Sequence, residues 1–284
     1  MKGIAKSQKS LIAVNALKII LTIFTSTFLT SHILNLTPDN ILGVGIFNVG
    51  FLYLSQFFVY IVVYWLLTNF ISKSNRVIFL RIGIAVYALL LIIIVFLGKD
   101  IAKWSMLAGA LLGIAEAFYC SSYIVMKNEL VSRHSIQTYY IFTIVINNII
   151  NIVVPTLLGF LIDVSTYSHI SIYIVGIALA QLIVSLFIDV PRIAHSPFQL
   201  GKYFKYLKQE KSVRKKIKYT YLNALFASFK STYKILIVIL TIYTFKTNFS
   251  LGILSSIFAI ISTILLIVYK KFENNKKLNN KIKS

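Results

Sequence analysis

Apolar residues fall in long unbroken blocks along most of this chain, separated by shorter polar stretches. Crossing the hydrocarbon core of a membrane takes about 20 mostly apolar residues in a helix. Eight blocks meet that length, at roughly 11–34, 41–70, 77–97, 104–126, 137–161, 169–188, 221–245 and 250–269. The runs are continuous rather than alternating, so they do not read as strands of a membrane barrel. The first block is too long for the apolar core of a signal peptide. Polar residues are spaced along it and no small-residue cleavage site comes after it, so it is read as a span.

Composition agrees. Of 284 residues, 58% are hydrophobic and 13% are charged, and mean hydropathy is +0.81. An ordinary soluble chain is about 45–50% apolar and about 25% charged. The excess apolar surface needs lipid, and the expected class is an all-α polytopic membrane protein. A single cysteine, Cys120, excludes an intrachain disulfide.

The charge adds orientation. There are 29 Lys and Arg against 8 Asp and Glu, a net +21. The cations gather at the N-terminus (Lys2, Lys6, Lys9) and in alternate connections: Lys73, Arg76 and Arg81, then Lys127 and Arg133, then the stretch from Arg192 to Lys218, then the tail from Lys270. The remaining connections carry only Asp39, then Lys99, Asp100 and Lys103, then Asp163, then Lys246. Lys and Arg accumulate in cytoplasmic loops, so both termini are expected in the cytoplasm and the chain in the cell membrane. The basic excess then reads as orientation and attraction to an anionic inner leaflet, not as a nucleic-acid footprint.

The organisation is six spans within 1–190, a basic linker at 191–220, two further spans within 221–270 and a basic tail at 271–284. Ser196, Pro197 and Gln199 form a helix-start signature. Leu200, Phe204 and Leu207 recur about a turn apart, with Lys202, Lys205 and Lys208 on another side, which predicts an amphipathic helix on the inner leaflet. A solvated basic linker is the alternative. The layout of spans seven and eight repeats that of spans one and two, a weak internal repeat.

Span four carries Gly109, Gly113, Glu116 and Tyr119 in close order, span five ends on Pro155, Gly159 and Asp163, and span three opens Leu80-Arg81-Ile82-Gly83. With six spans, a long basic linker and further spans, this resembles the major facilitator superfamily of transporters. The resemblance implies that helices one, four and seven line a central pathway. The family's loop between helices two and three carries an aspartate, whereas here Thr68 to Arg76 holds only basic charges. The family usually has twelve helices, so a chain lacking the last four is expected, and an oligomer or a second chain is left open as partner.

Charged and polar residues within spans are the candidates for chemistry, since a charge at mid-bilayer costs about 2.5–3.5 kcal/mol on insertion scales. Glu116 lies near the middle of span four, with Tyr119 and Tyr123 on its face. It is either a protonatable group facing a polar cavity or half of a structural ion pair. Lys18 in span one belongs to a polar stripe with Asn15, Thr22, Thr25 and His32. It either lines a cavity or snorkels to the near interface. Lys230 and Lys234 sit one turn apart in span seven. Asn147, Asn148, Asn151 and Pro155 in span five read as interhelical glue, with substrate contact the alternative, and Ser105, Gly109, Gly113 and Ala117 in span four as a packing stripe.

The four histidines are scattered without metal spacing, there is no phosphate-binding loop, and no nucleophile triad or carboxylate pair is credible. No cofactor, metal or enzymatic activity is expected. Asn35 and Asn248 head glycosylation sequons that read as chance matches. Two functions remain: a secondary transporter of a small solute, using Glu116 with Lys18, Thr22, Thr25, Tyr119, Tyr123, Lys230 and Lys234, or a non-transporting truncated or structural membrane protein of the same fold.

Overall fold

In a computed structural model, residues 5–37, 41–71, 76–132, 135–189 and 211–282 are described. Among them the secondary structure is helical throughout, with no strand. The helices are α1 (Lys6–Asn35), α2 (Ile46–Ile71), α3 (Arg76–Leu97), α4 (Ser105–Leu130), α5 (Ile136–Val164), α6 (Tyr167–Ser185), α7 (Lys211–Phe245) and α8 (Asn248–Ile282).

Among the described residues, seven helices are long and apolar enough to cross a membrane. Within α7 the apolar stretch among the described residues is Thr232–Phe245. Helix α7 also begins inside the stretch read as a linker, and α8 continues past 269 into the basic tail. The surface helix expected from Ser196 lies mostly outside the described residues.

Helix α1 runs among α5, α6 and α4, and its far end meets α7; α4 packs on α2 and α3, α3 on α6, and α8 on α5. Small residues set these approaches. A Cβ on Gly109 would overlap the Leu52 carbonyl and the Ser55 hydroxyl of α2, and one on Gly113 would overlap the Gln56 carbonyl. The span-four stripe is therefore the α2–α4 seam. On the other side, a Cβ on Gly83 would sit 2.8 Å from the Tyr119 amide and 2.9 Å from the Ala115 carbonyl. That approach draws α3 against α4 and carries Tyr87, one turn beyond Gly83, toward α1. Phe24 and Phe28 of α1, Leu90 and Leu91 of α3 and Ala115 of α4 fill the core between them.

The first helix is not uniform. A π-turn spans Phe24–Phe28, and a second spans Ile41–Gly45 before α2. The extra residue in a π-turn rotates the next turns of the helix relative to an unbroken α-helix, and such turns gather at functional sites.

Candidate functional site

Lys18 and Glu116 meet at the centre of the bundle. At 1.5 Å per residue, Lys18 lies about 18 Å along α1 from Lys6. Its Nζ is 2.5 Å from Glu116 Oε1, with side-chain exposures of 7% and 19%. Lys18 therefore does not snorkel: a carboxylate inside the bundle gives its ammonium a nearer partner than the interface. Breaking such a pair by removing one member costs about 3–5 kcal/mol, because the other charge is left buried. Glu116 retains the greater exposure, and its other oxygen lies 3.6 Å from the Cys120 thiol.

Aromatic rings complete the surroundings of the ammonium. Nζ stands 3.9 Å from the ring centre of Tyr87 and 5.5 Å from that of Tyr119. Desolvated contacts of this kind are worth about 2 kcal/mol or more. The Tyr87 ring is fixed by its own hydroxyl, 2.5 Å from Thr25 Oγ1. Thr25 sits in the π-turn, where its hydroxyl also donates to the Leu21 carbonyl at 3.0 Å. Tyr87 is a site residue that sequence reasoning missed. It stands in a span otherwise almost purely apolar after Arg81 and looks there like any core aromatic.

The expected polar stripe of α1 is split among several neighbours. Asn15 donates to Asn147 Oδ1 of α5 at 3.3 Å, while Lys18 meets α4 and Thr25 meets α3. Thr22 bonds only within its helix, to the Lys18 carbonyl at 2.9 Å. Beyond the π-turn, His32 stacks on Tyr167 of α6 at 4.3 Å. The central position of α1 and the added rotation of the π-turn give each of these residues a different partner. The span-five amides do act across helices at Asn15–Asn147, while Asn151 bonds back to the Asn147 carbonyl at 2.7 Å.

Tyr119 and Tyr123 extend the site along α4. Their rings stack at 5.6 Å, and the Tyr123 hydroxyl lies 3.1 Å from that of Tyr139 on α5. Of the span-seven lysines, Lys234 is exposed on α7, and the Lys230 side chain is outside the described residues.

The sequence gives no hint of a second charged pair. Arg76 Nη1 of α3 lies 3.0 Å from Glu129 Oε2 of α4, at the basic end of the bundle. The apolar run of span four stops at 126, which places Glu129 in a loop; the helix in fact runs to Leu130 and buries it. At the opposite end, Asp163 of α5 accepts from the backbone amides of Asn248 at 3.1 Å and Phe249 at 2.8 Å, the first residues of α8. Among the described residues no cluster of His, Cys, Asp and Glu could hold a metal.

The family model described as Major Facilitator Superfamily matches residues 17–278. The match runs from α1, one residue before Lys18, into the end of α8. No curated protein matches the chain.

Proposed function

The chain belongs to the Major Facilitator Superfamily, a superfamily of secondary transporters, and on that premise we propose that it moves a small solute by alternating access around the Lys18–Glu116 pair. The observation that carries this reading is the pair itself. It lies at mid-depth, it links α1 to α4, and its carboxylate is the more exposed partner. A charge in that position is costly unless it has a task or a partner, and here the two charges face a cluster of tyrosines rather than a dry aliphatic core. Protonation of Glu116 releases Lys18 from α4, and that release is the step that couples proton binding to helix movement. The alternation of basic connections supports a placement in the cell membrane with both termini in the cytoplasm.

A second reading, a non-transporting membrane protein of the same fold, draws on the 7% exposure of the Lys18 side chain, which suits a purely structural pair. One experiment separates the two. A reporter cysteine replaces Ser250 in a Cys120→Ser background, and its labelling rate in proteoliposomes is divided by that of free glutathione at each pH. Transport around the pair requires this ratio to change with pH and the Glu116→Gln variant to flatten it. A well-folded Glu116→Gln protein that keeps the parent's profile rejects the coupling role.

A further inference from the structure

We propose that the Lys18 ammonium is a tethered occupant of a cation cage, and that the cage is the binding site for a small organic cation. The inference rests on the reading of the Lys18–Glu116 pair as the transport site, and it names the class of solute.

The walls of the site are built for one positive charge. Among the described residues, Glu116 supplies the only carboxylate contact to Nζ, at 2.5 Å. Tyr87 supplies a ring face at 3.9 Å and Tyr119 a second at 5.5 Å. Tyr87 cannot turn away without breaking its bond to Thr25. A carboxylate with aromatic faces is the arrangement that recognises alkylammonium and quaternary ammonium groups. The titratable groups around the cage are Glu116, Cys120 and Tyr119 from α4, Tyr87 from α3, and Tyr60 of α2, which interacts with Cys120 and Glu116. Once Lys18 is withdrawn, every one of these is neutral or acidic.

Other solute classes fit less well. An anion would have to capture Lys18 and strand Glu116 in the bundle, the costly broken pair. A small hard cation seeks six or more oxygen ligands at short range, whereas the Thr25 hydroxyl is already committed to Tyr87 and to the Leu21 carbonyl. A diffuse organic cation needs only the one carboxylate and the ring faces. One carboxylate balances one cation, so the solute and the Lys18 ammonium take the cage in turn. The lysine holds the empty site closed, and the solute replaces it without leaving Glu116 unpaired.

The test uses the full chain purified in detergent, with tetramethylammonium chloride as the probe and sodium chloride at equal concentration as the control. Lys18→Ala empties the cage and leaves Glu116 alone. Tetramethylammonium should raise its thermal midpoint well beyond the sodium control, by more than it raises that of the parent, and the gain should vanish in Lys18→Ala/Glu116→Gln. Equal midpoints in the two salts overturn the proposal. If Lys18→Ala does not fold, the decision passes to the parent protein, in which Cys120 lies 3.6 Å from Glu116. There, tetramethylammonium at ten times its dissociation constant should slow maleimide labelling of Cys120 about tenfold, since only the unoccupied fraction reacts. Unchanged labelling in that case overturns it. A probe without effect beside a flattened pH profile in Glu116→Gln removes the cation cage alone. An unflattened profile removes the transport reading beneath it.

Discussion

Asp163 of α5 and Asn248 of α8 join two helices at the end of the bundle away from Arg76 and Glu129. The Asp163 carboxylate accepts from the Asn248 backbone amide at 3.1 Å and its side-chain amide at 2.8 Å, then from the Phe249 amide at 2.8 Å. The first amides of a helix have no partners within it, and here another helix supplies them, with a negative charge suited to that end of the helix dipole. Asn248 also accepts from the Ser31 hydroxyl of α1 at 2.5 Å. A Cβ on Gly159 would overlap the Asn248 carbonyl, so the glycine lets Asp163 come within reach. The Asn248 side-chain amide is thus engaged on both sides, by Ser31 and by Asp163.

Replacing Asp163 with Ala should lower stability by about 0.5–2 kcal/mol, the range for loss of a helix cap. Asp163→Asn keeps one acceptor oxygen and should recover part of that loss. Thermal unfolding in detergent reads both. The Asn248→Ala change should cost less in the Asp163→Ala background than in the parent, because the two side chains share one network. Strict additivity would show that the contact carries no energy.

The buried pair predicts a cycle of a different shape. Lys18→Met and Glu116→Gln should each destabilise the protein by about 3–5 kcal/mol if the remaining group keeps its charge. The double variant should then regain most of the loss, since neither charge remains to be stranded. Denaturation midpoints of the four proteins measure this. A double variant as unstable as the sum of the singles would contradict a direct Lys18–Glu116 pairing.

The apolar spans are legible in the sequence because hydropathy over 20 residues is a local property. The seam of Gly109 and Gly113 is legible because small residues four apart leave one face bare. Lys18 and Glu116 stand out as charges within apolar runs, but their partnership does not, since it depends on how two distant helices turn. Tyr87 gives no signal: a tyrosine amid aliphatic residues looks the same whether it packs a core or covers an ammonium. Glu129 is misplaced by hydropathy because the apolar run ends before the helix does. The π-turn at Phe24–Phe28 has no marker in its residues, and it separates His32 from the stripe that helical spacing assigns to it.

Gly83 should be intolerant of even one added methyl. The Cβ of Gly83→Ala would press on α4 backbone atoms at 2.8 and 2.9 Å, and backbone cannot rotate aside as a side chain can. Overpacking of this kind costs about 1–3 kcal/mol. It should also move Tyr87 off Lys18 and speed labelling of the neighbouring Cys120. Gly176 is the control, because a Cβ there meets nothing within 4 Å. Gly176→Ala should be neutral or stabilise by up to about 1 kcal/mol through helix propensity. Similar midpoints for the two variants would remove Gly83 from the account of how α3 is placed.

Helix α7 should present its two ends on opposite sides of the membrane. It runs from Lys211 to Phe245, 35 residues, which is about 52 Å at 1.5 Å per residue. The hydrocarbon core is only about 30 Å thick, so the helix must emerge from it. Its first turns hold Lys211, Arg214, Lys215, Lys216 and Lys218, and its other end carries Lys246 alone. The basic end is therefore expected in the cytoplasm. In a Cys120→Ser background, a cysteine at Thr247 should react with a membrane-impermeant thiol reagent added outside intact cells, and one at Ser212 should react only after the cells are opened. Labelling of Ser212→Cys from outside would invert the orientation, and labelling of both positions from the same side would show that α7 does not cross.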